Sequence, residues 1–294
     1  MTINTLTTLD KVRNMLTLAS ADIADDNQIL SFMHNAARTI ERHTRRNFYP
    51  KEEIRYYDHQ YDKKIILDAD LVQLKGLSSV NGASGFALTV VNPAAGWNWN
   101  LTPYDHIVVN SSTGCTLNYS GTPERADSVS GVWCYHEDWP NAWLDTGTSL
   151  AFTMTSNASL IQMAGAGSRN AGASDVLLQY PRISVGDILK IGDEFFHVLG
   201  GTGTGDSSAL VRGAANGSAS ANHDSGTSIA KFVPHPDIEY ATRRLAAWAY
   251  KSQELPPPTR MAFPAIGAVE IPTAWPEEVK VTVDRYRRQK IRTI

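Results

Sequence analysis

Cysteine is scarce in this sequence. It holds only Cys115 and Cys134, which are too few for a disulfide framework and do not have the spacing of metal ligands. Because secreted structural domains often depend on disulfides, this scarcity favours an intracellular or assembly context over secretion. The first residues also lack the apolar core of a signal peptide, which agrees with that expectation.

Long apolar runs and a strong net charge are also absent. No stretch approaches the roughly 20 apolar residues that span a bilayer, so we expect no membrane partner. The formal net charge of −3 over 294 residues argues against a protein whose whole surface binds nucleic acid. The composition, 42% hydrophobic and 19% charged residues, can still support real cores in one elaborated domain or two.

Patterns typical of catalysis are missing as well. On a strand, Cys134, His136 and Asp138 would share one face while Glu137 points away, and no second ligand cluster has suitable spacing. The glycine-rich residues 200–205 lack the Lys-Ser/Thr ending of a phosphate-binding loop, and no Gly-x-Ser-x-Gly elbow occurs. We therefore predict no enzymatic activity, no metal site and no cofactor.

Helix periodicity is strong in four places. Residues 26–47 carry acidic side chains at the start, basic ones at the end, and an apolar stripe at spacings of three and four. A short helix capped by Thr7 or Thr8 precedes it and runs to Leu16. Two more helices are predicted near the C-terminus, at residues 236–253 and 276–294.

Short strands fill the sequence between these helices. Residues 51–137 alternate like an antiparallel meander, and residues 146–233 are rich in Gly, Ser, Ala and Thr, with a predicted hairpin turn at Gly192-Asp193. The fold class is therefore α+β: a bundle of about four helices packed with an antiparallel sheet or small barrel, plus an inserted all-β domain. The predicted domains are residues 1–140 with 235–294, which include the C-terminal helix 276–294, and the insertion 141–234.

An ordered set of motifs resembles a known family. Residues 6–12 are Leu-Thr-Thr-Leu-Asp-Lys-Val, residues 36–50 contain Ala-Ala-x-x-Ile-Glu-Arg-x-Thr and Arg-Arg-Asn-Phe-Tyr-Pro, and residues 56–58 are Tyr-Tyr-Asp. Val-Ser-Gly-Val-Trp-Cys-Tyr-His follows at 129–136, Pro-Asp-Ile-x-x-Ala-x-x-x-Leu-Ala-Ala-Trp at 236–248, and Tyr-Arg-Arg at 286–288. In this order they resemble the head-to-tail connector (adaptor) proteins of tailed bacteriophages. The insertion, with Ser-Val-Gly-Asp-Ile-Leu-Lys-Ile at 184–191, resembles a β module of phage structural proteins that compact adaptors lack.

This resemblance implies a structural role in the virion. Adaptors form a cyclic homo-oligomer, here expected to have about twelve copies, beneath the portal protein. The ring joins head to tail, contacts tail or neck proteins, and continues the channel through which DNA passes without sequence-specific binding. The implied location is the head-tail junction of the virion, after assembly in the host cytoplasm.

The C-terminal helix is the predicted portal anchor. A proline-rich spacer precedes it, and its basic end exceeds what helix capping requires, although a solvated helix end is the alternative interpretation. The resemblance favours the portal over other acidic partners or DNA. The predicted portal-binding residues are Val279, Val283, Arg285, Tyr286, Arg287, Arg288, Lys290 and Arg292.

Acidic loops are candidates to face the channel because DNA must slide past its lining. They contain Asp22, Asp25, Asp26, Asp58 and Asp62.

The alternative function is a carbohydrate- or receptor-binding virion module, since aromatic faces can stack on sugars. Its candidate side chains are Trp97, Trp99, Trp133, Trp139 and Trp143.

Overall fold

The structure, a computed structural model, describes residues 4–18, 23–59, 64–79, 102–108, 122–164, 183–201, 208–253, 261–263, 267–269 and 275–288. Four α-helices occur in these ranges: α1 (Leu9–Leu16), α2 (Asp26–Thr44), α3 (Pro236–Gln253) and α4 (Glu277–Arg285). The strands are β1 (Lys51–Tyr57), β2 (Lys64–Ser79), β3 (Tyr104–Val108), β4 (Asp127–Trp133), β5 (Trp143–Ser149), β6 (Leu160–Gln162), β7 (Ile188–Ile191), β8 (Glu194–Gly201), β9 (Ser208–Arg212), β10 (Ser228–Phe232), β11 (Met261–Phe263) and β12 (Gly267–Val269).

The helices pack around a single apolar cluster. Each contributes the stripe that its periodicity predicted, with Ile29, Met33 and Ile40 of α2 almost fully buried against Ile238 and Leu245 of α3. The predicted α+β class with four helices is confirmed. No described helix is both long and apolar enough to cross a membrane.

The first sheet is antiparallel and has the strand order β1-β4-β2-β3. The sequence predicts two short strands, at residues 64–68 and 71–80, but β2 is one long strand. Register shifts let it bend along β4 without interruption. The sheet stays open, so the barrel alternative does not apply. One face buries Trp133, whose indole N–H donates to the carbonyl of Glu53 at 3.0 Å.

The second sheet lies wholly in the predicted insertion and has the order β5-β10-β7-β8-β9-β6. The predicted turn is confirmed: β7 and β8 are joined by Gly192 and Asp193, and Gly192 has a positive φ of 59° that glycine adopts at little cost. This sheet has an apolar core of its own, which includes Leu189, Phe196 and Ile229.

A further apolar cluster joins the two sheets. Val72 and Val132 of the first sheet meet Ile188 and Phe195 of the second. The first residue of β5, Trp143, pairs with the last residue of β10, Phe232, so the chain leaves and returns at one place. The division into two domains stays a prediction, because these contacts do not test whether either part folds alone.

Candidate functional site

The C-terminal helix α4 is docked on the other helices of its own chain. Val279 is 1% exposed and Val283 is fully buried in the helical cluster. These two side chains were predicted to contact the portal. In this conformation they are instead part of the protein's own core, because their spacing of four places both on the inner side of α4.

The segment after α4 is held by α2 and the residues that follow it. The sequence predicted a helix over 276–294, but α4 ends at Arg285 and residues 286–288 are not helical. Tertiary hydrogen bonds replace the helical ones here: Arg46 Nε donates to the carbonyl of Tyr286 at 2.7 Å, and the Arg288 N–H donates to the carbonyl of Thr44 at 2.8 Å.

A buried carboxylate fixes this segment to the first sheet. The Asp70 Oδ1 atom accepts from Arg46 Nη1 at 2.7 Å and from Arg288 Nη1 at 3.1 Å. Arg288 also donates to the carbonyl of Leu67 at 2.8 Å. Burial raises the pKa of Asp70, and the two guanidinium groups oppose that shift. The pair of arginines therefore favours a charged carboxylate in a site that would otherwise favour the neutral acid.

Tyr286 is the centre of an aromatic cluster beside this ion pair. Its ring lies 6.3 Å from Phe48, 5.7 Å from Tyr135 and 5.0 Å from His235, measured between centroids. Its hydroxyl donates to Asp237 Oδ2 at 2.7 Å. Burial and that carboxylate raise the pKa of Tyr286, so the hydroxyl stays protonated and acts as a hydrogen-bond donor.

Motifs that are far apart in sequence therefore meet at one place. Phe48 belongs to the Arg-Arg-Asn-Phe-Tyr-Pro motif, Tyr135 to Val-Ser-Gly-Val-Trp-Cys-Tyr-His, Asp237 to Pro-Asp-Ile, and Tyr286 to Tyr-Arg-Arg. We call this convergence the Tyr286 node, made of these four residues with Arg46, Asp70, His235 and Arg288. The sequence analysis had not identified Asp70 or Arg46 as functional, since their pairing with Arg288 leaves no local pattern.

The other predicted portal-binding residues are divided between this node and solvent. Arg285 and Arg287 are exposed, Tyr286 and Arg288 are half-buried in the node, and Lys290 and Arg292 lie outside the described residues. A charged surface thus remains available in the docked state, while the predicted apolar contact through Val279 and Val283 does not.

The candidate channel residues are only partly described. Asp25 accepts a hydrogen bond from the Tyr250 hydroxyl at 2.6 Å, and Asp26 forms an ion pair with Arg13. Asp58 accepts from the Arg125 backbone N–H at 2.8 Å. Asp22 and Asp62 lie outside the described residues, so channel lining stays a prediction.

The residues considered for catalysis have structural partners. Burial raises the pKa of the Cys134 thiol, which keeps it protonated. His136 Nε2 lies 3.1 Å from the carbonyl of Val233, and its Nδ1 accepts from the Asp138 N–H at 3.1 Å. Within the part of the chain that the structure describes, no three His, Cys, Asp or Glu side chains are grouped as metal ligands would be.

The described tryptophans of the carbohydrate hypothesis pack against other side chains. Trp133 is buried under the guanidinium group of Arg55, and Trp143 stacks on Phe195 with centroids 5.4 Å apart. Trp139 lies edge-on to Trp143 at 5.8 Å. Trp97 and Trp99 are outside the described residues.

No protein-family model, no curated protein and no solved structure matches this chain. The resemblance to connector proteins therefore depends on the ordered motifs, and membership of that family stays a prediction.

Proposed function

We propose that this protein is the head-to-tail adaptor of a tailed bacteriophage. Many copies, about twelve, would close a head-to-tail ring beneath the portal and continue the DNA channel towards the tail or neck proteins. The mechanism is geometric: each subunit supplies shaped surfaces, and no side chain performs chemistry. The place of action is the virion, after assembly in the host cytoplasm.

The convergence of motifs at the Tyr286 node is the observation that supports this proposal. Each motif alone is a helix or strand pattern that unrelated domains share. Four of them contact one another around Tyr286 and so belong to one structural unit, which supports reading them together. That unit joins the C-terminal segment to the rest of the helical region, which is the part the resemblance assigns to the portal contact.

The docked position of α4 changes how a portal contact would form. Contact through Val279 and Val283 would require α4 to leave its core, with loss of the hydrogen bonds from Arg46 and Arg288. We therefore assign the portal contact to the exposed side chains of the same segment, Arg285 and Arg287. Lys290 and Arg292 continue the same basic sequence.

The channel hypothesis accompanies the ring. A lining that held phosphates tightly would slow DNA, so acidic or neutral loops suit it better than clustered cations. Asp25 and Asp58 remain candidates because both are acidic residues outside the helices and strands. Cysteine cross-linking of a ring around DNA would test this: variants with cysteine at either position should react with a DNA-bound probe, and absence of reaction at both would contradict it.

Particle size and portal binding test the proposal directly. The purified protein, alone and mixed with the portal ring of the same virus, is measured by native mass spectrometry and imaged by cryo-electron microscopy. We expect a cyclic particle of about twelve copies, either alone or only with portal. A chain that remains monomeric and does not bind portal would contradict the proposal. The carbohydrate-binding alternative would instead predict glycan-array binding, and the packing of the described tryptophans gives it no support.

A further inference from the structure

Strand β1 forms one edge of the first sheet and pairs only with β4 among the described strands. A Cβ atom placed on Gly217 would lie 2.0 Å from the carbonyl oxygen of Glu52 and 3.2 Å from its carbon, so this carbonyl points at Gly217 and away from β4. In an antiparallel strand the N–H and C=O groups of one residue point to the same side, and the side alternates along the chain. The backbone groups of Ile54 and Tyr56 therefore also point outwards, where no described strand pairs with them.

The side chains at this edge are apolar and exposed. Ile54 is 56% exposed, and Tyr56, beneath the guanidinium group of Arg125, is still 43% exposed. The charged Glu53 and Arg55 bond to each other and alternate with these two, so they belong to the opposite face. Soluble proteins protect free edges with lysine, proline or a bulge, but β1 has a regular register with β4, and its exposed positions hold two strong strand formers. These features are typical of an edge that binds another strand.

The β11–β12 hairpin belongs to no larger sheet within the described ranges. Its strands have the apolar sequences Met-Ala-Phe and Gly-Ala-Val, and they pair with each other, Met261 opposite Val269 and Phe263 opposite Gly267. An isolated two-stranded hairpin is marginally stable in water, and a third strand or another packing surface is needed to stabilise it. One chain therefore carries both an edge that can accept a strand and a hairpin that needs one.

The hairpin is joined to two helices that are docked in the same core. Residues 254–260 connect it to α3, and residues 270–276 connect it to α4. An extended chain of about seven residues spans up to about 25 Å, which is close to the diameter of a small domain. The hairpin can therefore contact a neighbouring subunit while α3 and α4 stay docked.

We propose that the β11–β12 hairpin of one copy adds to the β1 edge of the next copy, so that the first sheet continues across the contact between subunits. β11 is the adjoining strand, antiparallel to β1, with Phe263 opposite Ile54 and Met261 opposite Tyr56. Both pairs are two positions apart, and aromatic side chains opposite branched ones stabilise neighbouring strands. The contact joins two different surfaces of the chain, which is the kind that closes a ring. The inference rests on the proposed function and identifies the subunit contact of that ring.

The first experiment detects the pairing by disulfide cross-linking. Two variants of the full chain, Ile54→Cys and Phe263→Cys, are mixed and oxidised mildly, each with Cys115→Ser so that the buried Cys134 is the only other thiol. We expect linked dimers in the mixture but not in either variant alone, because a disulfide requires Cβ atoms within about 4.5 Å. Tyr56→Cys with Met261→Cys should link in the same way. The control mixture, Ile66→Cys with Phe263→Cys, should not link, since Ile66 lies on the inner strand β2.

The second experiment measures assembly of variants by native mass spectrometry, alone and with the portal ring of the same virus. Ile54→Lys should raise the protein concentration needed for half-assembly at least about tenfold, because it places a charge in the contact. Ile66→Lys is the matched control: it replaces a partly exposed isoleucine of the same sheet, adds the same charge, and should stay within about twofold.

A proline substitution tests the backbone pairing itself. Ile54→Pro should also prevent assembly, yet its thermal melt should stay close to that of the unaltered protein, because the N–H that it removes points outwards. Cross-linking uses no lysine or proline variant, so it decides the question even where one of these fails to fold.

The outcomes separate this inference from the proposed function. A cyclic particle in which neither cysteine pair links and Ile54→Lys assembles like Ile66→Lys would overturn the inference and leave the ring standing. Linked copies that form only dimers or open chains and do not bind portal would support the inference and contradict the proposed function. A chain that stays monomeric with and without portal overturns both.

Discussion

Two buried carboxylates, Asp70 in the first sheet and Glu194 in the second, act over very different lengths of chain. Glu194, in the second sheet, binds partners no further away than His223, 29 residues on. Asp70, in the first sheet, binds Arg288, which is 218 residues away. Glu194 therefore links residues within the insertion, whereas Asp70 links the first sheet to the C-terminal segment.

The hydrogen-bond donors of Glu194 and Asp70 also differ in kind. Glu194 accepts backbone N–H groups from Ala214 at 2.6 Å and Ala221 at 2.9 Å, and lies 2.9 Å from His223 Nε2. A side chain at Gly213 would come within 2.5 Å of the same carboxylate, so only glycine fits there. Asp70 accepts instead from the guanidinium groups of Arg46 and Arg288. Glu194 is thus held largely by backbone donors of nearby residues, and Asp70 by two arginine side chains.

The largest effect is expected from Glu194→Ala. The substitution leaves two partly buried N–H groups and the buried His223 without their acceptor, so the free energy of unfolding should fall by about 3–5 kcal/mol. Urea unfolding measures this loss. Asp193→Ala is the control, because the neighbouring Asp193 side chain is 87% exposed and should change stability very little. A small effect of Glu194→Ala would show that the loop is fixed by other contacts.

Asp70→Asn should have the next largest effect and lower the free energy of unfolding by about 2–3 kcal/mol. It leaves the guanidinium groups of Arg46 and Arg288 close together without the negative charge between them, although both remain partly solvated. The double variant Asp70→Asn with Arg288→Met should lose less free energy of unfolding than the two single variants together, since the two residues interact directly. Strict additivity, measured by chemical unfolding, would mean that the ion pair does not hold the C-terminal segment.

Val283→Ala tests whether α4 is docked in solution. The substitution removes two buried methyl groups and leaves a cavity, which should lower the free energy of unfolding by about 2 kcal/mol. Val281→Ala is the matched control on the outward side of the same helix and should change stability by under about 0.5 kcal/mol. Similar effects at both positions would contradict the docked arrangement.

The smallest expected effect is a gain of stability from Glu41→Gln. The pKa of Glu41 is raised from its usual 4.5 to about 7, so the folded state favours the protonated acid. The contribution of protonated Glu41 to the free energy of unfolding is complete below about pH 4.5 and is lost as pH rises through about 7. At pH 8 the neutral glutamine should therefore stabilise the protein by about 1–2 kcal/mol, with no gain at pH 4. Glu277→Gln, at an exposed position, is the control, and thermal melts at both pH values measure the difference.

Local patterns predicted much of this fold. The positions of α1, α2 and α3 follow from apolar periodicity, and the Gly192-Asp193 turn follows from glycine between two apolar runs. Thr8 takes the N-cap position of α1, but its side chain makes no capping hydrogen bond. The single strand β2 was missed because its polar Asp68 and Asp70 interrupt the apolar pattern, and only the contact with Arg46 and Arg288 makes Asp70 acceptable inside.

The candidate site was predictable only in part. Periodicity identified Val279 and Val283 as one apolar side of α4, but it cannot say whether that side meets the same chain or another protein. Interactions across more than 200 residues leave no trace in a local pattern.

The pairing of Trp143 with Phe232 has a mechanical consequence. Tension along the backbone between β4 and α3 would reach the second sheet at Trp143 and Phe232, which are opposite each other in the register of β5 and β10. The rings of Trp143 and Phe232 lie 5.4 Å apart, and Trp139 packs against both. The contacts among these three rings would transmit the force directly from β5 to β10. The interior of the insertion would therefore bear little strain until these contacts break.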